Sequence, residues 1–320
     1  MRRSLTRRVP GSMLMLVVLA MLWSAAGAGT ARAELPVDYN FFAGVPAELA
    51  NPGGSLPGSN DWSCTPSAAH PNPVVLVHGT SGGAQTNWGA FVPALANEGY
   101  CVFALTYGAL DVPWPLSAMG GMRPIEESAG QLAAFVDRVR AATGAERVDL
   151  VSHSQGSVVG NYFVKRLGGE GRVDRFVSIA GPWQGAWGDQ MDLWRGIGQR
   201  LGVEPDDLDG MMSMSVCAAC SQLVGGSQFM RDLNADGVYA PGVDYTNIAT
   251  VYDEIAYPYT SGLIAAPNAV NIVVQDGCPT DFSEHLAIAG SPRTAGFILN
   301  ALDPAHPRPV GCEFVPPVTG

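Results

Sequence analysis

From Pro73 onward the chain carries short apolar, largely β-branched runs at Val74 to Val77, Val102 to Leu105, Val148 to Val151, Phe176 to Ile179, Tyr245 to Val251 and Val270 to Val274. Helical patterns separate most of them. Strands that alternate with helices imply a mostly parallel central sheet flanked by helices on both faces. The clearest helix is expected over Glu126 to Ala142, where Leu132, Phe135, Val136 and Val139 recur at three- and four-residue spacing and Gly144 supplies a stop. Glu34 to His70, rich in Pro, Gly and Asn, reads as an irregular surface wrap. The alternation breaks between Pro182 and Met230, a stretch holding Trp183, Trp187, Trp194, Met211, Met212 and Met214 together with Asp206, Asp207 and Asp209. It is expected to be a cap or lid insertion at residues 182–230 that lines an apolar pocket, the plain alternative being core packing of a helical excursion. No repeat is evident and no linker divides the chain.

The amino-terminal residues follow a different pattern. Arg2, Arg3, Arg7 and Arg8 precede an apolar stretch from Met13 to Trp23 and small residues ending Ala31-Arg32-Ala33. The stretch is short for a membrane span, so residues 1–33 are expected to be a secretory signal peptide, cleaved after Ala33 or alternatively after Ala28. Residues 34–320 then form a single domain, exported and without a stable membrane anchor, and expected to be monomeric. Five of the 18 basic residues and none of the 29 acidic ones lie in residues 1–33, so the remainder carries 13 basic against 29 acidic residues, a net of −16. That charge argues against nucleic acid as a partner and against anionic lipid surfaces. Six cysteines in an exported chain imply disulfides. Cys64 lies shortly before one strand and Cys101 opens its expected neighbour; Cys278 follows a strand and Cys312 sits in the Pro-rich tail. These positions pair Cys64 with Cys101 and Cys278 with Cys312, leaving Cys217 with Cys220 as a structural bridge.

Candidate chemistry centres on Val148-Asp-Leu-Val-Ser-His-Ser-Gln-Gly156, a strand-like run ending in a serine between small residues. A tight turn from strand into helix lifts such a hydroxyl clear of the backbone beside a base, which makes Ser154 the candidate nucleophile. In the G-x-S-x-G pattern the first glycine is replaced by Ser152, which leaves the packing of the turn open, whereas Gly156 is kept. Of five histidines, His70 precedes the first core strand, His306 lies between prolines in the tail, His153 is the spacer before Ser154 and His78 ends a strand. His285, after the last strand and near the start of a helical run, remains as the base. Asp253 ends the strand-like segment that begins at Tyr245 and is the favoured acid, with Asp189 and Asp276 as alternatives. Only one of Asp253 and Glu254 can face the histidine, since successive strand residues point to opposite sides. Oxyanion donors are expected from the backbone N–H of Gln155 and of Thr80, in the glycine-rich stretch after Val74 to Val77. Asp232 to Gly237 matches the opening of a calcium loop, but Val243 stands at the twelfth position where a bidentate Glu is needed, so the stretch reads as an Asx-rich turn.

Taken together, Pro73-Val-Val-Leu-Val-His-Gly-Thr80, Leu150-Val-Ser-His-Ser-Gln-Gly156, Tyr245-Thr-Asn-Ile248 with Tyr252-Asp-Glu-Ile255, and Asp281-Phe-Ser-Glu-His-Leu-Ala-Ile288 resemble the secreted class 2 triacylglycerol lipases of bacteria. The resemblance extends more distantly to lipases of the lipase B type. It implies an α/β-hydrolase fold, no cofactor or metal in the chemistry, an ester or lipid substrate, and a triad of Ser154, Asp253 and His285 with Thr80 and Gln155 as oxyanion donors. The expected activity is that of a lipase or carboxylesterase working through an acyl-enzyme. Two readings stay open beside it: the same triad acting on cutin or another polyester or transferring the acyl group to an alcohol, and a catalytically inactive hydrolase fold used as a binding module.

Overall fold

The computed structural model describes residues 33–186 and 217–319. Six strands form one parallel sheet: β1 Val74–Val77, β2 Val102–Ala104, β3 Val148–His153, β4 Val173–Ile179, β5 Asp244–Ala249 and β6 Ala269–Val273, in the spatial order β2-β1-β3-β4-β5-β6. Seven α-helices lie among the described residues: α1 Val45–Ala50, α2 Phe91–Asn97, α3 Ile125–Thr143, α4 Gln155–Arg166, α5 Ala218–Gln222, α6 Gln228–Asn234 and α7 Pro292–Leu302. Alternate residues of the strands feed two cores. Val75, Val77, Phe103, Leu150 and Phe176 face α3 and α4, through Leu132, Val136, Val159 and Phe163. Val74, Leu76, Val102, Val151, Val177 and Ile248 face α2 and α7, through Phe91, Leu95, Ile298 and Leu302. Burial of both faces explains why the central strands are apolar without alternation.

The chain leaves β1 toward β2 on one side and returns to β3 on the other, so the carboxyl ends of β1 and β3 meet where strand order reverses. Val77 pairs with Ser152 there. Loops diverging to opposite faces open a crevice at such a point, which is where ligands of open parallel sheets bind.

Several boundaries differ from the sequence expectation, each for a local reason. The expected helix begins one residue earlier and ends at Gly144, which takes the left-handed conformation at φ 72°. The Glu34 to His70 wrap holds a 3₁₀ turn, Phe41–Gly44, running into α1, capped by Asn40, whose side chain accepts the Phe42 N–H. Strand β5 stops at Ala249, so Asp253 sits in the turn beyond it, where Thr250 O accepts the Asp253 N–H. The helical run expected after His285 begins as a 3₁₀ turn, Ala287–Ala289, and resumes as α7 from Pro292. The Asp232 to Gly237 turn is helical as far as Asn234, because Ser227 caps α6 through the Met230 N–H. Beyond it, the Asp236 carboxylate is held by Lys165 at 2.7 Å and Arg166 at 2.9 Å.

Three disulfides join Cys64 to Cys101, Cys217 to Cys220 and Cys278 to Cys312. Among the described residues no helix is long and apolar enough to cross a membrane.

Asp149, at the opposite end of β3 from Ser154, is 2% exposed, and burial pushes its carboxyl from 3.8 up to about 7 despite the nearby Arg175. The folded chain therefore holds a proton there that the unfolded chain has released. Its contribution is most favourable below about pH 4 and declines as pH rises to about 7. Asp149→Asn should remove that decline, so denaturant melts at pH 4 and pH 7 should show the variant gaining on the parent at pH 7. An unchanged difference between the two pH values would refute the assignment.

Candidate active site

Strand β3 delivers Ser154 into a turn with φ 52° and ψ −127°, a strained conformation for a residue with a side chain. The strain is held from both sides. The Ser154 N–H donates to Ile179 O at 2.9 Å, and the Ser157 N–H donates to Ser154 O at 2.9 Å as α4 begins. At Gly156 a Cβ would lie 2.1 Å from Val77 O and 2.6 Å from His78 O, so the helix start presses directly on the end of β1. Glycine is obligatory there for space. The position of Ser152 is not so crowded: its Oγ donates to Val177 O at 3.2 Å and lies 2.9 Å from Ser157 Oγ, itself 2.8 Å from Ser178 Oγ. A chain of hydroxyls absorbs the substitution that the motif left open.

His285 Nε2 lies 2.7 Å from Ser154 Oγ, and its Nδ1 lies 2.9 and 3.0 Å from the two Asp253 oxygens. All three residues are buried. Asp253 Oδ1 also accepts the N–H groups of Ile255 at 3.0 Å and Ala256 at 2.7 Å, which fix its orientation. Since a carboxylate can only accept, His285 Nδ1 carries the proton and Nε2 offers its lone pair to the serine. Of the alternatives, Asp276 contributes its backbone carbonyl to Arg293 Nη2, and Asp189 lies outside the described residues.

Thr80 follows Gly79 in the loop after β1, and this loop touches the elbow: a Cβ on Gly79 would come within 3.1 Å of Ser154 Cβ. The Thr80 hydroxyl donates to Gln155 Oε1 at 2.7 Å, while Gln155 Nε2 donates to Gly121 O at 2.9 Å. That hydroxyl proton is thus committed to the Gln155 side chain at the start of α4. The Gln155 backbone N–H opens α4, where the first N–H groups find no helical carbonyl. His78 is structural: it stacks on Tyr107 at 4.0 Å, its Nε2 accepts the Tyr107 N–H, and burial lowers it to about 4.

A cleft of about 540 Å³ opens over Ser154 and His285. Its apolar wall includes Phe42, Val45, Met119, Leu223, Ile255 and Leu286. The sequence reading missed Phe42, Val45 and Met119, which come from the wrap and from the loop before α3; only their shared position in space marks them. Pro182, Ala186, Cys220 and Leu223 bring the described ends of the 182–230 segment to the same cleft. Trp183 does not line it. It is buried among Phe176, Tyr239 and Tyr245, with Nε1 donating to Asn247 Oδ1 at 2.8 Å, because an indole packs best where its N–H also finds an acceptor. Trp187, Trp194, Asp206, Asp207, Asp209, Met211, Met212 and Met214 lie outside the described residues. Among the described residues no group of three or more His, Cys, Asp or Glu is placed to hold a metal ion.

A family model described as "Lipase (class 2)" matches residues 71–289. The pyrrolizixenacetamide deacetylase of Xenorhabdus hominickii is 36% identical over 86 residues, 27% of this chain and 29% of that protein. In solved structures, Aspergillus fumigatus lipase B superposes with a TM-score of 0.57 at 18% identity, covering 80% of this chain and 57% of that one. The mature form of Bacillus licheniformis lipase BlEst2 gives 0.52 at 17% identity, covering 74% and 94%. At these identities the structural likeness establishes the α/β-hydrolase fold.

Proposed function

Given that the chain belongs to the class 2 lipase family, we propose that it is an exported serine hydrolase of carboxylic esters, acting on triacylglycerols or related acyl esters through an acyl-enzyme. Ser154 Oγ attacks the ester carbonyl carbon while its proton passes to His285 Nε2. Asp253 stabilises the imidazolium that forms, and the oxyanion takes the backbone N–H groups of Thr80 and Gln155. Collapse expels the alcohol, which leaves with the proton from His285. Water then repeats the sequence on the acyl-enzyme and frees the acid. The carrying observation is the continuous path from Ser154 to His285 at 2.7 Å and on to Asp253 at 2.9 Å, opening into an apolar cleft. Export is supported by the arginine-led apolar segment before Glu34 and by three disulfides.

A fluorophosphonate should label Ser154, and failure to label would refute the serine mechanism. The apolar wall makes acyl chains longer than acetate the preferred substrates. Each buried methylene is worth about 0.8 kcal/mol, roughly a fourfold gain, until the cleft is full. The gain should appear in kcat/KM for nitrophenyl esters measured from acetate upward below their micellar concentrations. If acetate proved the best substrate, the lipase reading would give way to a small-ester esterase.

A further inference from the structure

His153 is more than the spacer before the nucleophile. Its ring is buried beside the cleft, with its centroid 5.2 Å from that of His285 and 6.0 Å from that of Phe41. Its Nε2–H donates to the His285 backbone carbonyl at 2.9 Å. On the other side of the same residue, the His285 backbone N–H donates to Glu254 Oε2 at 3.3 Å. The base stands on a loop with no helix or strand of its own, so these two contacts grip its peptide groups directly. The neighbour of the nucleophile holds one side, and the neighbour of the acid holds the other.

Resting on the serine-hydrolase reading above, we propose that His153 and Glu254 are positioning residues that set the distance from His285 to Ser154 by holding the backbone of the base from both sides. The choice of an imidazole for the buried side has an electrostatic reason. His285 becomes cationic when it takes the serine proton, and a permanent charge about 5 Å away in a buried site would oppose that step. Burial lowers His153 to about 3, so it donates as a neutral group throughout the working range. Lysine or arginine would supply the hydrogen bond but also the opposing charge.

The test compares fluorophosphonate labelling rates and ester kcat and KM for the full chain carrying His153→Phe, His153→Gln or Glu254→Ala, with each variant's fold checked by its melting transition. Phenylalanine keeps the ring volume but has no donor, whereas glutamine keeps a neutral donor. A misplaced base should slow labelling and kcat by about 10- to 100-fold in His153→Phe, with KM little changed. His153→Gln should recover most of that loss. Glu254→Ala, at an exposed side chain, should lower the same two rates by a smaller factor without loss of fold. A folded His153→Phe labelling at the parent's rate, a loss confined to KM, or a glutamine variant as slow as the phenylalanine one would overturn the role of His153. An unaltered Glu254→Ala would overturn the two-sided grip. A parent chain that does not label at all would instead refute the serine mechanism, and this inference with it. That outcome is separate, since the others all require a labelled parent.

Discussion

Ester turnover should fall by a factor on the order of 10⁴ to 10⁶ in Ser154→Ala and by nearly the same factor in His285→Ala, because a hydroxyl without its base and a base without its hydroxyl are equally unable to form the acyl-enzyme. The double variant should be little worse than either single one. Asp253→Ala should cost less, since the imidazole remains in place and loses only the partner that fixes its tautomer and balances its charge. The motivating geometry is the pair of contacts at 2.7 and 2.9 Å, together with the two backbone N–H groups that hold Asp253 in place. Single-turnover and steady-state rates on a soluble nitrophenyl ester, with melting transitions to verify folding, provide the measurement. Full activity in Asp253→Asn alongside a dead Asp276→Asn would move the acid elsewhere, and additive losses in the double variant would show that Ser154 and His285 do not act together.

The second large effect is expected at Gly156, where one methyl group should destabilise the whole elbow. Its Cβ would meet Val77 O at 2.1 Å and His78 O at 2.6 Å, and both are backbone atoms in or beside the central sheet. Neither can rotate away as a side chain would. Overpacking of this kind costs about 3 kcal/mol or more, a fall of roughly 6 °C or more in Tm for a domain of this size. Activity should drop further than stability, since any shift of the first turn of α4 moves the Gln155 N–H relative to Ser154. Ser152→Gly is the contrasting variant. It removes one hydroxyl from a chain of three and should cost only about 1 kcal/mol, with the triad left intact. Thermal melts of Gly156→Ala within a degree of the parent would show that the elbow is looser than these contacts imply.

The strand and helix order of this protein is written locally. Apolar runs of strand length, a helix with one apolar face from Ile125 and a left-handed Gly144 depend on nearest-neighbour packing and backbone sterics, which a linear pattern records. The candidate nucleophile was equally legible, because a strand ending in small residues around Ser154 is itself the device that exposes a hydroxyl. Other features depend on residues far apart in the chain meeting in space, and no local pattern encodes that meeting. Strand β5 ends four residues before Asp253, and only the turn through Thr250 aims that carboxylate at His285. Ser152 looked like a defect until Ser157 and Ser178 supplied partners for its hydroxyl. Trp183 suited a pocket wall by composition, yet Asn247 from β5 gives its N–H an acceptor in the core. The cleft wall itself draws Phe42 from the first turn of the wrap, Met119 from the loop before α3 and Leu286 from beside the base. Sequence singled out the candidate residues for the proposed chemistry, because reactivity belongs to residue type and local turn. Tertiary structure decided their distances and their apolar surroundings, because both depend on loops that only the finished sheet brings together.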